Sequence, residues 1–225
     1  MRRGLIIAVD GPAGSGKSSS SRLLAERLNY RHIDTGALYR AVGLVAWEHS
    51  VNPADPSGLA ALCENLTLRV VPGPQGMHLL IGEQDVTADI RRSEISQMAS
   101  QVSAQPVVRQ RLLALQRDLG KDGGVVVEGR DIGTVVFPDA DVKFYLDASA
   151  EERGRRRHAE LQEKGESVSL VTTVQEITTR DQRDSNRTHA PLRPAADAVV
   201  VDTTALTLEE VVGTLLRHIR ALPKC

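Results

Sequence analysis

Short apolar runs alternating with stretches of helical periodicity organise this chain. Leu5-Ile6-Ile7-Ala8-Val9 is apolar and rich in β-branched residues, and it stops at Asp10-Gly11-Pro12, the profile of a strand buried on both faces. From about Lys17 to Leu28 the spacing becomes helical, with Leu23, Leu24 and Leu28 on one face. A short strand over Arg31 to Asp34 and a helix from about Gly36 to His49 follow. Leu66 to Val71 and Met77 to Ile81 flank Pro72-Gly73-Pro74-Gln75-Gly76 and predict an antiparallel hairpin. A short strand near Asp85-Val86 joins it before a helix at about Ile90. Helices over Arg92 to Val102 and Pro106 to Leu119 lead to strands at Val125 to Glu128, Val142 to Leu146 and Ala198 to Asp202. Further helices start near Ala150 and after Glu163-Lys164-Gly165-Glu166-Ser167, and a helix closes the chain.

Strands alternating with helices predict an α/β fold with a central parallel sheet covered by helices on both faces. A small antiparallel unit does not belong in such a sheet. Residues 62–90 are therefore read as an inserted subdomain within a single domain spanning residues 1–225.

Composition narrows the class. The 225 residues are 41% hydrophobic and 25% charged, an ordinary globular balance for one sizeable domain. A net charge of −1 and only 3% aromatics argue against a general nucleic-acid binder, which needs a basic surface and stacking platforms. No apolar run approaches the ~20 residues of a membrane span. Two cysteines, Cys63 and Cys225, supply neither a zinc site nor a disulfide framework, and the histidines lack ligand spacing. A soluble cytoplasmic protein is expected, with no nucleic-acid or membrane partner and nothing demanding more than a monomer.

Gly11-Pro12-Ala13-Gly14-Ser15-Gly16-Lys17-Ser18 matches the phosphate-loop pattern G-x-x-x-x-G-K-[ST] in full, with a predicted strand before it and a helix after it. Glycines let the backbone wrap until its N–H groups point at phosphate oxygens. The helix N-terminus adds partial positive charge. Lys17 would then bridge the β- and γ-phosphates of a nucleoside triphosphate, and the Ser18 hydroxyl would help hold Mg²⁺. Ser19, next in the chain, joins the candidate ATP-binding residues. Such a loop also serves GTPase switches and motor ATPases. A guanine-specific N-K-x-D segment is absent, however, and the chain is short for a mechanochemical ATPase. A small-molecule kinase leads.

Only five of the 28 basic residues are lysines. Genomic base composition explains such a bias as well as function does, so position decides. Asp34-Thr35-Gly36-Ala37-Leu38-Tyr39-Arg40 runs from a strand end into a helix, where an α/β sheet places its ligands; a capping Asp or Thr with a solvated Arg is the plainer alternative. Glu128-Gly129-Arg130-Asp131 follows the strand at Val125, so Glu128 is suited to assist Mg²⁺, partly through water. A structural ion pair is the alternative there. On the helix from Ala150, Arg153, Arg156 and Arg157 lie at i, i+3 and i+4. A second helix carries Arg180, Asp184 and Arg187 at i, i+4 and i+7 on one face. Residues 150–187 thus suggest a mobile helical lid over phosphates, against the alternative of a solvated charged face.

Taken together, these segments resemble bacterial cytidylate kinases, P-loop nucleoside monophosphate kinases that transfer phosphate from ATP to CMP and dCMP. The similarity spans essentially the whole chain. It is most specific at Asp10 to Lys17, Asp34 to Arg40, Glu128 to Pro138 and Arg180 to Arg187. The resemblance implies that Thr35, Ser100, Arg109 and Asp131 face the cytosine and that Arg180 and Asp184 reach the sugar. It implies that Arg40, Arg130 and Arg187 hold the acceptor phosphate and, with Lys17, act in catalysis. Gly11 to Ser19, with Arg156 and Arg157, would bind ATP, and Ser18 and Glu128 would hold Mg²⁺. Some relatives carry Asp at the position of Glu128 and Ser at that of Thr35; the carboxylate and the hydroxyl are kept either way.

Those assignments make chemical sense. Cytosine presents an amino donor at N4, which the Asp131 carboxylate accepts, and an acceptor at N3 for an Arg donor. Uracil reverses both. Two other readings stay open. One is a kinase for another nucleoside monophosphate or a small metabolite such as shikimate, against which the Arg109 and Asp131 pair argues. The other is a non-catalytic nucleotide-dependent switch, against which two sets of phosphate-binding groups argue.

Overall fold

The computed structural model describes residues 4–73 and 76–222. The hairpin-turn residues Pro74 and Gln75, and Cys225, lie outside the described residues. In chain order the elements are β1 (Ile6–Asp10), α1 (Lys17–Leu28), β2 (Arg31–Asp34), α2 (Thr35–Glu48), α3 (Pro56–Asn65), β3 (Leu68–Gly73), β4 (Gly76–Ile81), β5 (Gln84–Asp85), α4 (Ser93–Val102) and α5 (Pro106–Gly120). Then come β6 (Val125–Gly129), β7 (Val142–Asp147), α6 (Ala150–Glu163), α7 (Leu170–Ser185), β8 (Val199–Asp202) and α8 (Leu208–Arg220). The chain divides into two compact units, residues 1–31 with 123–225, and residues 32–122.

The larger sheet has the order β2-β6-β1-β7-β8. Within the first unit β1 pairs in parallel with β6 and β7, and β7 with β8. Burial on both faces explains the unbroken apolar run of β1: Ile7, Ala8 and Val9 are fully buried. The register sets Asp10 opposite both Gly129 and Tyr145. The carboxyl ends of the three inner strands therefore coincide, at the edge where α/β sheets bind ligands. Ile7, Val9, Leu24, Val126, Phe144 and Leu146 form the core with Val211, Val212 and Leu215 of α8. That helix opens with a capping box, in which Thr207 and Glu210 satisfy each other's backbone N–H groups.

The second unit packs α2, α3, α4 and α5 around Leu38, Val42, Leu59, Leu79, Ile95 and Leu112. The predicted antiparallel sheet is present, in the order β3-β4-β5, and β3 pairs with β4 from Leu68↔Ile81 to Gly73↔Gly76. Two local expectations need correction. The helix expected at about Ile90 is a single 3₁₀ turn over Asp89–Arg91, because Arg92 adopts extended backbone and a new helix starts at Ser93. Helix α3 went unpredicted although its start signal is in the sequence: Asp55 accepts from the Ser57 N–H ahead of Pro56. Its last turn is held from α5, where Arg111 donates to the carbonyls of Cys63 and Leu66 at 3.0 and 3.1 Å.

Helices α2 and α4, which carry several candidate acceptor residues, approach closely at Gly43. A Cβ there would come 3.0 Å from the Ala99 backbone nitrogen, closer than side chains tolerate without movement. We expect Gly43→Leu to force α4 away and destabilise the protein by about 1–3 kcal/mol, measured as a lower midpoint in urea unfolding. An unchanged midpoint would show that the two helices separate without cost.

Candidate active site

In the first unit the phosphate loop links β1 to α1, and its shape depends on closeness to neighbouring backbone. A Cβ at Gly11 would lie 2.1 Å from the Leu146 carbonyl oxygen, and one at Gly14, where φ is +77°, would lie 2.8 Å from that of Arg153. Neither position admits a side chain. Lys17 is buried and donates to the Pro12 carbonyl at 2.8 Å, so its ammonium curls over the loop. The Ser15 hydroxyl donates to the same carbonyl at 3.0 Å.

Ser18 and Glu128, distant in sequence, come together: the Ser18 hydroxyl donates to Glu128 Oε2 at 2.7 Å. Glu128 is buried near the end of β6. A hydroxyl and a carboxylate side by side are hard oxygen ligands of the kind Mg²⁺ takes, with phosphate and water completing its shell.

Just beyond β6, Ile132–Val136 forms a π-helical turn. Asp10, the last residue of β1, accepts from the Ile132 and Gly133 N–H groups, both at 2.8 Å. Burial pushes its carboxyl up to about 6, against the opposing pull of those two N–H groups. On the other side, Lys143 donates to the Pro138 carbonyl at 2.5 Å and to Asp197 at 2.9 Å.

Three arginines of this unit gather around one carboxylate. Asp184, 1% exposed, accepts from Arg130 Nε at 3.0 Å and pairs with Arg187, while Arg180 Nε lies 4.0 Å away. Burial alone would raise the Asp184 carboxyl, but Arg130, Arg187 and Arg180 outweigh it and hold the group below the usual carboxylate range. Arg187 is not on the helix where its spacing placed it: α7 ends at Ser185, capped by Asn186, and Arg187 reaches Asp184 from beyond that end.

The three arginines of α6 are not equivalent. Arg153 is buried, donates to the Ala13 carbonyl at 3.1 Å and pairs with Asp181. Asp181 in turn accepts from the Ala13 N–H at 3.4 Å. Arg156 grips Thr203, donating to its carbonyl at 2.7 Å. The Thr203 hydroxyl lies 3.0 Å from the Ser15 carbonyl, which accepts from it. Arg157 pairs with Glu160 on its own helix.

In the second unit Arg40 Nη2 donates to Asp34 at 2.6 Å. Burial would raise the Asp34 carboxyl, yet Arg40 and then His32 bring it below its ordinary value. Asp34 also caps α2, accepting from the Ala37 N–H at 3.2 Å, so the capping alternative and the ion pair both hold. Gly36 leaves room for that pair, since a Cβ would sit 3.0 Å from Asp34 Oδ1 and 3.1 Å from Arg40 Nη1. Thr35 and Ser100 are buried. Arg109 donates to the Ser103 carbonyl at 3.2 Å, Ser103 to the Ser100 carbonyl at 3.0 Å, and the Arg109 guanidinium stacks 5.4 Å from the centre of the Tyr39 ring.

A family model described as cytidylate kinase matches residues 7–221. The cytidylate kinase of Geobacter sulfurreducens is 52% identical, covering 97% of this chain and 94% of that protein. That of Carboxydothermus hydrogenoformans is 48% identical over 95% and 96%. The chain belongs to the cytidylate kinase family. A crystal structure of an uncharacterized protein from Eubacterium ventriosum covers 97% of this chain and 99% of its own at a TM-score of 0.52 and 13% identity, a likeness in fold alone.

In this cytidylate kinase family member, sequence reasoning missed Asp10, Thr203 and Asp181. Asp181 stood inside a motif read for other residues, and Thr203 carries no motif. Asp10 stood directly before the phosphate loop, at the end of a strand and inside a segment that carries the resemblance, with no role of its own assigned to it.

Asp184 yields a pH-dependent expectation. Its folded value lies below the unfolded one, so its stabilisation is present above the unfolded value near 3.9 and is lost as pH falls through the folded one. We expect Asp184→Asn, which leaves the three arginines without their counter-charge, to cost about 3–5 kcal/mol near pH 7. The two proteins should converge in stability as the pH drops below ~4. Denaturant unfolding between pH 3 and 7 checks this; a constant gap would disprove the electrostatic account.

Proposed function

We propose that this chain transfers the terminal phosphoryl group of ATP to CMP and dCMP. The carrying observation is that a full phosphate loop and a second cluster of three guanidiniums around one buried carboxylate occur in the same unit. One set suits the donor phosphates and the other an acceptor phosphate. The membership of the family supports the cytosine base.

Lys17 leaves the Pro12 carbonyl to hold the β- and γ-phosphates, and the loop N–H groups orient them. Ser18 and Glu128 would hold Mg²⁺, which would supply neutralising charge at the phosphates when bound. Arg130 and Arg187 hold the acceptor phosphate and disperse the negative charge that grows in the transition state, the task that the resemblance also assigns to Arg40. Arg180 and Asp184 serve the sugar, and Thr35, Ser100, Arg109 and Asp131 the base. The acceptor needs no dedicated general base, because a phosphate monoester is already largely ionised near neutral pH. Ser19, Arg156 and Arg157 complete the ATP side, with residues 150–187 closing over it and residues 62–90 serving the monophosphate side. Among the described residues no helix is long and apolar enough to cross a membrane. A cytoplasmic monomer acting on small molecules is the matching assignment.

Measuring ADP release with ATP across CMP, dCMP, UMP, AMP and shikimate tests the reading. Turnover is expected with CMP and dCMP and far less with UMP; robust turnover with another acceptor and none with CMP would refute it. Lys17→Ala should lower turnover with every acceptor by roughly 10²-fold or more. Asp131→Ala should instead lower the CMP-to-UMP ratio of kcat/KM by about tenfold or more, since an unpaired buried polar group is the strongest source of discrimination. An unchanged ratio would remove Asp131 from the base-reading set.

A further inference from the structure

The turn at Ile132–Val136 is capped in an unusual way. The first N–H groups of any helical turn lack partners within it, and an Asp at the preceding position ordinarily supplies one. Asp131 stands there, yet its side chain makes no capping bond. Asp10 does the work from another strand, one carboxylate oxygen on each of the Ile132 and Gly133 N–H groups at 2.8 Å. The last residue of β1, it is locked by register against Gly129 and Tyr145, while Gly11 beside it starts the phosphate loop. The turn has little room to shift, because a Cβ at Gly133 would lie 3.1 Å from Lys143 Cδ and 3.5 Å from Asp10 Oδ2.

We propose that Asp10 is a positioning residue for acceptor recognition: by capping the Ile132–Val136 turn from β1, it keeps the Asp131 carboxylate from capping that turn itself and leaves it directed to the base. This rests on the reading of Asp131 as the cytosine-facing carboxylate. Without Asp10, the turn's N–H groups are buried donors in need of an acceptor, and Asp131 is the carboxylate next in line. The same side chain fixes where the donor loop leaves the sheet and where the acceptor loop turns.

Asp10→Asn preserves shape but replaces one accepting oxygen with a donor. The CMP-to-UMP ratio of kcat/KM is expected to fall by roughly tenfold, carried by a higher KM for CMP, with a smaller change in KM for ATP. In an Asp131→Ala background the same substitution should leave the ratio where Asp131→Ala alone puts it. If Asp131→Ala lowers the ratio and Asp10→Asn does not, Asp10 is a structural cap only and the inference fails while the base assignment stands. If Asp131→Ala has no effect on the ratio, both fail. Should Asp10→Asn not fold, Asp10→Ser carries the same comparison. Amide hydrogen exchange of the wild-type protein needs no variant: the Ile132 and Gly133 N–H groups should be strongly protected, and rapid exchange at both would overturn the capping role.

Discussion

Concentrated positive charge needs an anionic or carbonyl partner, and much of the first unit is arranged around that need. Arg130, Arg180 and Arg187 share the buried Asp184. Arg153 has Asp181 and the Ala13 carbonyl, and Lys17 has the Pro12 carbonyl. A guanidinium or ammonium left in such a place without a partner would carry a heavy desolvation penalty. The protein thus holds these basic groups on its own oxygens. Each such bond is also one that a phosphate oxygen can replace, because the geometry suiting a carboxylate suits a phosphate.

The register of the parallel sheet turns this charge arrangement into a site. With Asp10, Gly129 and Tyr145 level with one another, the loops after β1 and β6 leave the sheet at the same edge. Glycine at position 11 permits the tight exit, since the Leu146 carbonyl occupies the space a side chain would need. Ser18 and Glu128 meet for the same reason, one at the start of α1 and the other near the end of the neighbouring strand. In the second unit the organising contact is smaller: the Asp34–Arg40 pair closes over Gly36 at the start of α2.

Legibility in the sequence followed the range of the interaction. Strands with continuous apolar runs, such as β1 and β6, and helices with a clear apolar face, such as α1 and α5, were readable because burial imposes their periodicity directly. Helix α3 was missed because it is short and its apolar residues, Leu59-Ala60-Ala61-Leu62-Cys63, form one continuous run without clear helical spacing. The turn at Ile90 was over-read because one buried isoleucine imitates the start of a helical face. Among the candidate site residues, those carried by contiguous motifs could be named from the sequence. Asp10, Asp181 and Thr203 act through partners up to 188 positions away, and no local pattern marks such pairings.

By itself the sequence determined the phosphate loop, the α/β alternation, the antiparallel hairpin and the family, because each rests on short-range spacing or a contiguous motif. Only the tertiary structure decided how the basic residues divide their work. It put Arg153 on the phosphate loop, Arg156 on Thr203 and Arg157 on its own helix, and it carried Arg187 past the end of α7 and back to Asp184. It also gave the capping of the Asp131 turn to Asp10. These outcomes depend on strand register and on where buried charges find oxygens, and both are set by residues far apart in the chain.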